Sequence, residues 1–366
     1  MNTRREFLGS GAALAAPAFL SAQSPNDAVR VAVIGVGNRG AYLLRHIMNV
    51  PKVQIVALCD LDGERLSAAQ KAASDKGHTP ATYTDFRKML DERKDIDAVL
   101  IATPVDTHKA VSIAALEVGK NVYCEKPMSV EPADARLMVM AAKSAKGIFQ
   151  AGFQLRHDPN RNAAIKYVHS GALGKVLYAH GTRHTGDLPR QTTWYFDRVR
   201  SGDNIVEQAC HIIDLFVWSI GKPPLRAFGS GGINLYRNVP EGRTTMDNYS
   251  VIYEFPDNIR LNFSHIYFDP AGFSGIKERV WGEKGAIDLA TATWSALGQK
   301  GENKLEVENA GKDSTYLSLE AFVDNARARR KPLNNAESAQ MSTLVAMMGR
   351  KSIYEKRIVT WEEMNA

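Results

Sequence analysis

Cysteine is scarce and unpatterned. Cys59, Cys124 and Cys210 are the only three, and none has the short spacing of a metal site. No disulfide framework is legible. Cys59 and Cys124 fall in apolar runs, so buried free thiols are expected. Long basic runs are also missing. The densest, Ala326-Arg327-Ala328-Arg329-Arg330-Lys331, sits near an expected helix end, which favours cations anyway. With a formal charge of only +6, nucleic acid is not an expected partner. No apolar stretch is long enough for an integral membrane domain. Internal repeats and low-complexity tracts are absent, which argues against solenoids and fibrous chains. What remains is ordinary globular composition, 44% hydrophobic over 366 residues, enough for two domains and a large core.

The first 24 residues do not read as part of the fold. Thr3-Arg4-Arg5-Glu6-Phe7-Leu8 is a twin-arginine pattern, followed by a weakly apolar Ala/Gly-rich run and small residues at Ser21-Ala22. A Tat export signal cleaved near Ala22 is the expectation, with a periplasmic or otherwise exported location. An uncleaved anchor and a disordered basic terminus are the alternatives. The Tat route carries folded proteins, which suits a cofactor loaded in the cytoplasm.

Residues 25–152 read as alternating strands and helices. Strands are expected at 29–34, 53–59, 97–102, 120–124 and 148–152. They are nearly continuous apolar runs, as in a parallel sheet covered on both faces. After the first strand come Gly35, Gly37 and Gly40 in the pattern G-x-G-x-x-G, then a helix. Gly35 suits a tight turn, Gly37 a close approach to a pyrophosphate, and Gly40 close helix–strand packing. Asn38 and Arg39 lie at the helix N-terminus, whose free N–H groups favour phosphate. Asp60 ends the second strand, 20 residues after Gly40, where a carboxylate can hold the adenosine ribose. It favours NAD, and nearby Arg65 leaves NADP open. An ordinary turn and a solvated acid are the bland alternatives.

Beyond Gly152 the texture changes. Residues 248–255 and 259–263 alternate around the turn Pro256-Asp257-Asn258, as in an antiparallel sheet with one solvated face. Strands near 175–185, 225–236 and 277–290 are expected to join it. The fold class is therefore α/β: an N-terminal Rossmann dinucleotide-binding domain, then a C-terminal α+β domain with an open-faced, mainly antiparallel sheet. Residues 153–333 form the second domain. Residues 334–366 form a C-terminal helix and tail packed back on the first.

Several motifs together resemble the Gfo/Idh/MocA family (glucose–fructose oxidoreductase and inositol dehydrogenase). They are the glycine pattern, Ala102-Thr103-Pro104 with His108, Gly119 to Pro127 ending in Glu125-Lys126-Pro127, Leu173-Gly174-Lys175-Val176, and His211-Ile212-Ile213-Asp214. The resemblance implies a nicotinamide cofactor and sugar or cyclitol substrates. It also implies a subunit interface on the open sheet, hence a homo-oligomer. Thr103, Pro104, His108, Glu125 and Lys126 are implied to line the cofactor. Lys126 is implied to touch both substrate hydroxyl and ribose; a solvated surface lysine is its bland reading. Pro127 often follows a cis peptide in such proteins.

A helix capped by Asn204 or Asp203 is expected to run through Ile220 and stop at Gly221. Glu207, His211, Asp214 and Trp218 would then share one stripe. An acid one turn from an imidazole raises its pKa and orients it, so Glu207 and His211 read as a catalytic dyad. The family pattern has Asp where this chain has Glu207. A capping-box acid paired with Asn204 is the other reading of Glu207, and a satisfied core group that of His211. Asp214 reads as structural. Arg156 is read as a sugar ligand or a surface ion pair, and Trp194 and Tyr195 as a stacking platform or core. His184 and His265 have no evident partner. His180, His184 and Asp187 imitate a metal set, but nothing else supports one, and no metal is expected.

These readings converge on an exported NAD(P)-dependent oxidoreductase acting on a sugar, cyclitol or sugar derivative. An NAD-dependent glycosidase working through transient oxidation is the first alternative. A non-catalytic sugar-binding protein is the second.

Overall fold

Apolar runs without a polar face make the first sheet. In the computed structural model, which describes residues 28–189, 192–273 and 275–366, six strands pair in parallel. They are β1 (Val29–Ile34), β2 (Val53–Cys59), β3 (Ala81–Tyr83), β4 (Ala98–Ile101), β5 (Asn121–Cys124) and β6 (Phe149–Ala151), in the order β3-β2-β1-β4-β5-β6. β3 is a three-residue edge strand too short to stand out in the sequence. Between the strands run α1 (Asn38–Ile47), α2 (Gly63–Ser74), α3 (Phe86–Glu92), α4 (His108–Glu117) and α5 (Pro132–Ser144). The carboxyl ends of β1, β2, β4 and β5 bring the glycine turn, Asp60, Thr103 and Lys126 to one edge. That is where open parallel sheets bind ligands. The twin-arginine segment lies outside the described residues.

A nine-stranded sheet follows. Its strands are β7 (Val176–His184), β8 (Arg226–Gly232), β9 (Asn248–Glu254), β10 (Arg260–Ile266), β11 (Gly275–Gly282), β12 (Gly285–Asp288), β13 (Thr293–Ala296), β14 (Asn303–Lys304) and β15 (Val359–Thr360). Only β7 and β10 pair in parallel; the other neighbours are antiparallel. Alternation sets the faces. Tyr249, Val251, Tyr253, Leu261, Phe263 and His265 are buried, while Phe228, Ile252 and Tyr178 lie exposed on the opposite face.

Two strand expectations are corrected. The 277–290 run is a hairpin, β11 and β12, turning at Glu283-Lys284. The 225–236 run stops at Gly232. There the backbone N–H groups of Asn234, Leu235 and Tyr236 turn onto the Asp247 carboxylate at 2.9 Å each, and a nest of that kind ends a ladder.

The long helix expected to reach Ile220 is also corrected. The chain forms α6 (Pro159–His169), α7 (Arg198–Ser201), α8 (Asp203–Glu207) and α9 (Cys210–Ile220). Gly202, left-handed at φ 77°, separates α7 from α8. At the second break His211 N–H turns to Gln208 O instead of Glu207 O. The Glu207 carbonyl accepts from Lys126 Nζ at 2.5 Å instead. A tertiary bond has replaced a helical one. Asn204 does not pair with Glu207; its side-chain amide donates to the Met246 carbonyl. The C-terminal helices α10 (Ser314–Ala328) and α11 (Ala336–Glu355) precede the short α12 (Trp361–Asn365). Leu319, Phe322 and Val323 of α10 join the apolar cluster beside β1 and α1, and α11 packs on α5, α9 and β8.

Candidate functional site

The glycine turn is a cradle shaped by contact. Gly35 has φ 84°, and a Cβ there would lie 2.7 Å from the Ala102 carbonyl carbon. A Cβ on Gly40 would lie 1.8 Å from the Gly35 oxygen. Close packing therefore requires both. Gly37 differs: its Cβ would meet only the Arg65 guanidinium, at 3.2 Å. The space over Gly37 is thus open backbone at the start of α1, which has no side-chain cap. The N–H groups of Asn38, Arg39 and Gly40 remain for an anion. Asp60 braces the turn, accepting from Val36 N–H at 2.7 Å and Asp62 N–H at 3.0 Å. Open backbone, a helix N-terminus and an acid at the next strand end fit a dinucleotide.

A chain of ion pairs leads from this cradle to the second domain. Arg39 Nε donates to Glu125 Oε1 at 2.8 Å, across the ends of β1 and β5. The next residue, Lys126, donates through Nζ to Glu207 Oε1 at 2.8 Å. Both side chains are mostly buried, 10% and 14% exposed, so water screens this pair weakly. Burial pulls the Lys126 pKa down, but the Glu207 carboxylate, helped by Cys210 and Glu125, outweighs it and leaves the pKa raised. Lys126 is a held ammonium. The Lys126–Pro127 peptide is cis.

His211 lies on the first turn of α9, its ring edge-on to Phe153 at 6.2 Å between centroids. Its Nδ1 is buried without a hydrogen-bond partner. Burial, then the positive charges of Lys126, Arg39, Arg183 and Arg161, push its pKa well below the ordinary 6.5. The expectation that Glu207 raises this pKa is overturned, because the Glu207 carboxylate faces Lys126. A neutral imidazole beside a fixed ammonium can take a proton while the ammonium stabilises an alkoxide.

Residues 29–153 match the oxidoreductase family with an NAD-binding Rossmann fold, and residues 162–288 match the GFO/IDH/MocA C-terminal domain. An uncharacterized oxidoreductase of Streptococcus pneumoniae is 31% identical over 319 residues, 83% of this chain and 81% of that one. The chain belongs to the GFO/IDH/MocA oxidoreductase family. It is similar to a myo-inositol 2-dehydrogenase of Thermotoga maritima, 26% identical over 92% of this chain and 99% of that protein. The solved myo-inositol 2-dehydrogenase of Lactobacillus plantarum superposes with a TM-score of 0.75 at 25% identity, over 91% of this chain and 99% of that one. This family member is therefore an enzyme, an oxidoreductase, and its cofactor is NAD.

Within this GFO/IDH/MocA chain, three of the expected site residues, Arg156, His108 and Tyr195, are buried and bonded within the protein. Arg156 is buried, bonding Asp214 through Nε at 2.9 Å and through a terminal nitrogen at 2.7 Å. Its guanidinium lies over the Trp218 ring. Asp214 also accepts from Ser342 at 2.6 Å, so the pair ties α9 to α11. His108 is 1% exposed, its nitrogens engaged by Pro127 O and Thr103 O at 2.8 and 2.9 Å. It ties the turn at Thr103 to Pro127. Tyr195 is buried with its hydroxyl 2.9 Å from that of Tyr267, which leaves the partly exposed Trp194 as the accessible ring. His184 meets Ser264 and Asp269, not Asp187, and His265 meets the Tyr249 hydroxyl. Arg65 pairs with Asp62 at 3.1 Å.

Sequence reading passes over Arg183, Gln208 and Tyr267. Gln208 Oε1 accepts from Arg183 Nε at 3.1 Å and from Tyr267 O–H at 2.6 Å, one residue from Glu207. The available signal was alternation along β7: Ala179, Gly181 and Arg183 share the face that packs on α9, and one of them is a cation.

Proposed function

We propose that this enzyme uses NAD to oxidise a carbinol carbon of a sugar, cyclitol or sugar derivative, or runs that reaction in reverse. The observation that carries the reading is the Lys126–Glu207 pair beside a neutral His211, one residue from the Glu125–Arg39 link to the glycine cradle. Lys126 Nζ binds the substrate hydroxyl oxygen and stabilises the charge that grows there. His211 takes the hydroxyl proton. Glu207 fixes the ammonium through both its carboxylate and its carbonyl, which is a positioning role. Bound NAD supplies the hydride acceptor. The protein's share is orientation and proton transfer. Gly35, Gly37, Asn38, Arg39, Gly40, Asp60, Thr103 and Pro104 line the cofactor in this reading, and Trp194 faces the sugar.

The twin-arginine motif supports export through the Tat pathway. The exposed apolar face of the nine-stranded sheet, with Phe228 and Ile252 paired across β8 and β9, supports a homo-oligomer. Sedimentation of the mature chain tests this; a monomer at micromolar concentration contradicts it.

The experiment for the activity is NADH formation with a panel of sugars and cyclitols, repeated with Lys126→Ala and His211→Ala. Turnover should fall by about 10²- to 10⁴-fold in each variant. Undiminished turnover in Lys126→Ala contradicts the assignment. Cleavage of a glycoside without net NADH would establish the redox-neutral glycosidase instead.

A further inference from the structure

The cations whose charge reaches His211 are Lys126, Arg39, Arg183 and Arg161. Three have a carboxylate partner. Lys126 has Glu207 at 2.8 Å, Arg39 has Glu125 at 2.8 Å, and Arg161 has Glu278 at 2.7 Å. Among the described residues Arg183 has none, and its one side-chain hydrogen bond there runs from Nε to the neutral amide oxygen of Gln208. Among the described residues its two terminal nitrogens donate to nothing. With the other three neutralised, Arg183 carries the uncompensated charge of the four, and an anionic ligand would pair with it.

The guanidinium is also held in place. Gln208 Oε1 accepts from Arg183 and from Tyr267, and the Tyr267 hydroxyl contacts Tyr195. Both tyrosines are 2% exposed, so the chain of bonds is anchored in the core. Gln208 itself sits in the helix break next to Glu207. The break that gives Lys126 a carbonyl therefore also aims Gln208 at Arg183. With Nε occupied, the edge formed by the terminal nitrogens is left for a planar, bidentate acceptor.

We propose that Arg183 binds a carboxylate on the substrate, so that the enzyme acts on an acidic sugar such as a hexuronate. The inference rests on the reading of the Lys126–His211 site as a sugar-oxidising centre. One unpaired positive charge matches one carboxylate; a phosphate dianion would leave excess negative charge beside Glu207. Gln208 and Tyr267 act as positioning residues. A Glu at position 208 would neutralise Arg183 internally.

The test is calorimetric binding to the full chain loaded with NADH, where no oxidation takes place. Glucuronate and galacturonate are compared with glucose and galactose, and glucose 6-phosphate serves as the second anion. Each acid should bind about ten- to a hundred-fold more tightly than its neutral partner. Arg183→Gln should bring the acids down to the neutral sugars, and Arg183→Lys, with charge but no fork, should fall between. Equal binding within each pair, no binding of either acid, or tighter binding of the phosphate would overturn the proposal. The comparison within the wild type stands even where a variant folds poorly. Acids that bind through Arg183 but are not oxidised with NAD would remove the hydride-transfer reading and leave the carboxylate site standing.

Discussion

Glu207 is paired with Lys126 and not with His211. The family resemblance implies an aspartate serving His211, but the longer arm reaches Lys126 Nζ at 2.8 Å and leaves His211 Nδ1 unpaired. The pH dependence follows from the two shifts. In the proposed reaction His211 acts as a base when neutral, and its pKa lies below the ordinary 6.5, so kcat/KM should reach its plateau by about pH 7. Lys126 acts there as an ammonium with a pKa above the ordinary 10.5, so the plateau in the proposed reaction should extend far into alkali. Glu207→Gln removes the charge that raises Lys126 and leaves the burial that lowers it. Its alkaline limb should therefore move to lower pH, which a pH–rate profile measures. An unmoved limb would mean that Lys126 does not titrate in the reaction.

Elements set which substitutions hurt binding and which hurt folding. Gly37→Ala places its methyl group against the far end of Arg65 alone, so the fold should persist while NAD affinity drops at least tenfold by calorimetry. Gly40→Ala meets the Gly35 backbone oxygen and should cost about 1–3 kcal/mol or more in urea unfolding. Arg156→Ala strands the buried Asp214 carboxylate between α9 and α11 and should cost about 3–5 kcal/mol, again read by urea. Legibility in the sequence divides along the same line. The glycine turn, Asp60 and the Lys126 strand end were readable, because each follows an apolar run that fixes its place in the sheet. The break at Gln208 was not, since the lysine that takes the Glu207 carbonyl lies 81 residues away. Arg156 reads as a surface cation until α9 and α11 close over it. Arg183 looks ordinary on a strand, and only tertiary structure reveals that it has no acid partner among the described residues.

At the scale of the molecule, two sheets and the helix break contribute to the proposed centre. The parallel sheet supplies the cradle and Lys126. The second domain supplies Glu207 and His211 from α8 and α9, and Arg183 from β7. The C-terminal helices cover both, since α10 packs beside β1 and α11 on α5 and α9. Catalysis should therefore be lost together with the contact between the two domains. The most direct test of hydride transfer is isotopic. Sugars and hexuronates deuterated at their carbinol carbons are incubated with the enzyme and NAD, and the nicotinamide is analysed by mass spectrometry. Direct transfer predicts NADH carrying one deuterium, with label lost in parallel from the sugar. Reduced cofactor without deuterium, or an oxidised sugar with NAD unchanged, would contradict the account.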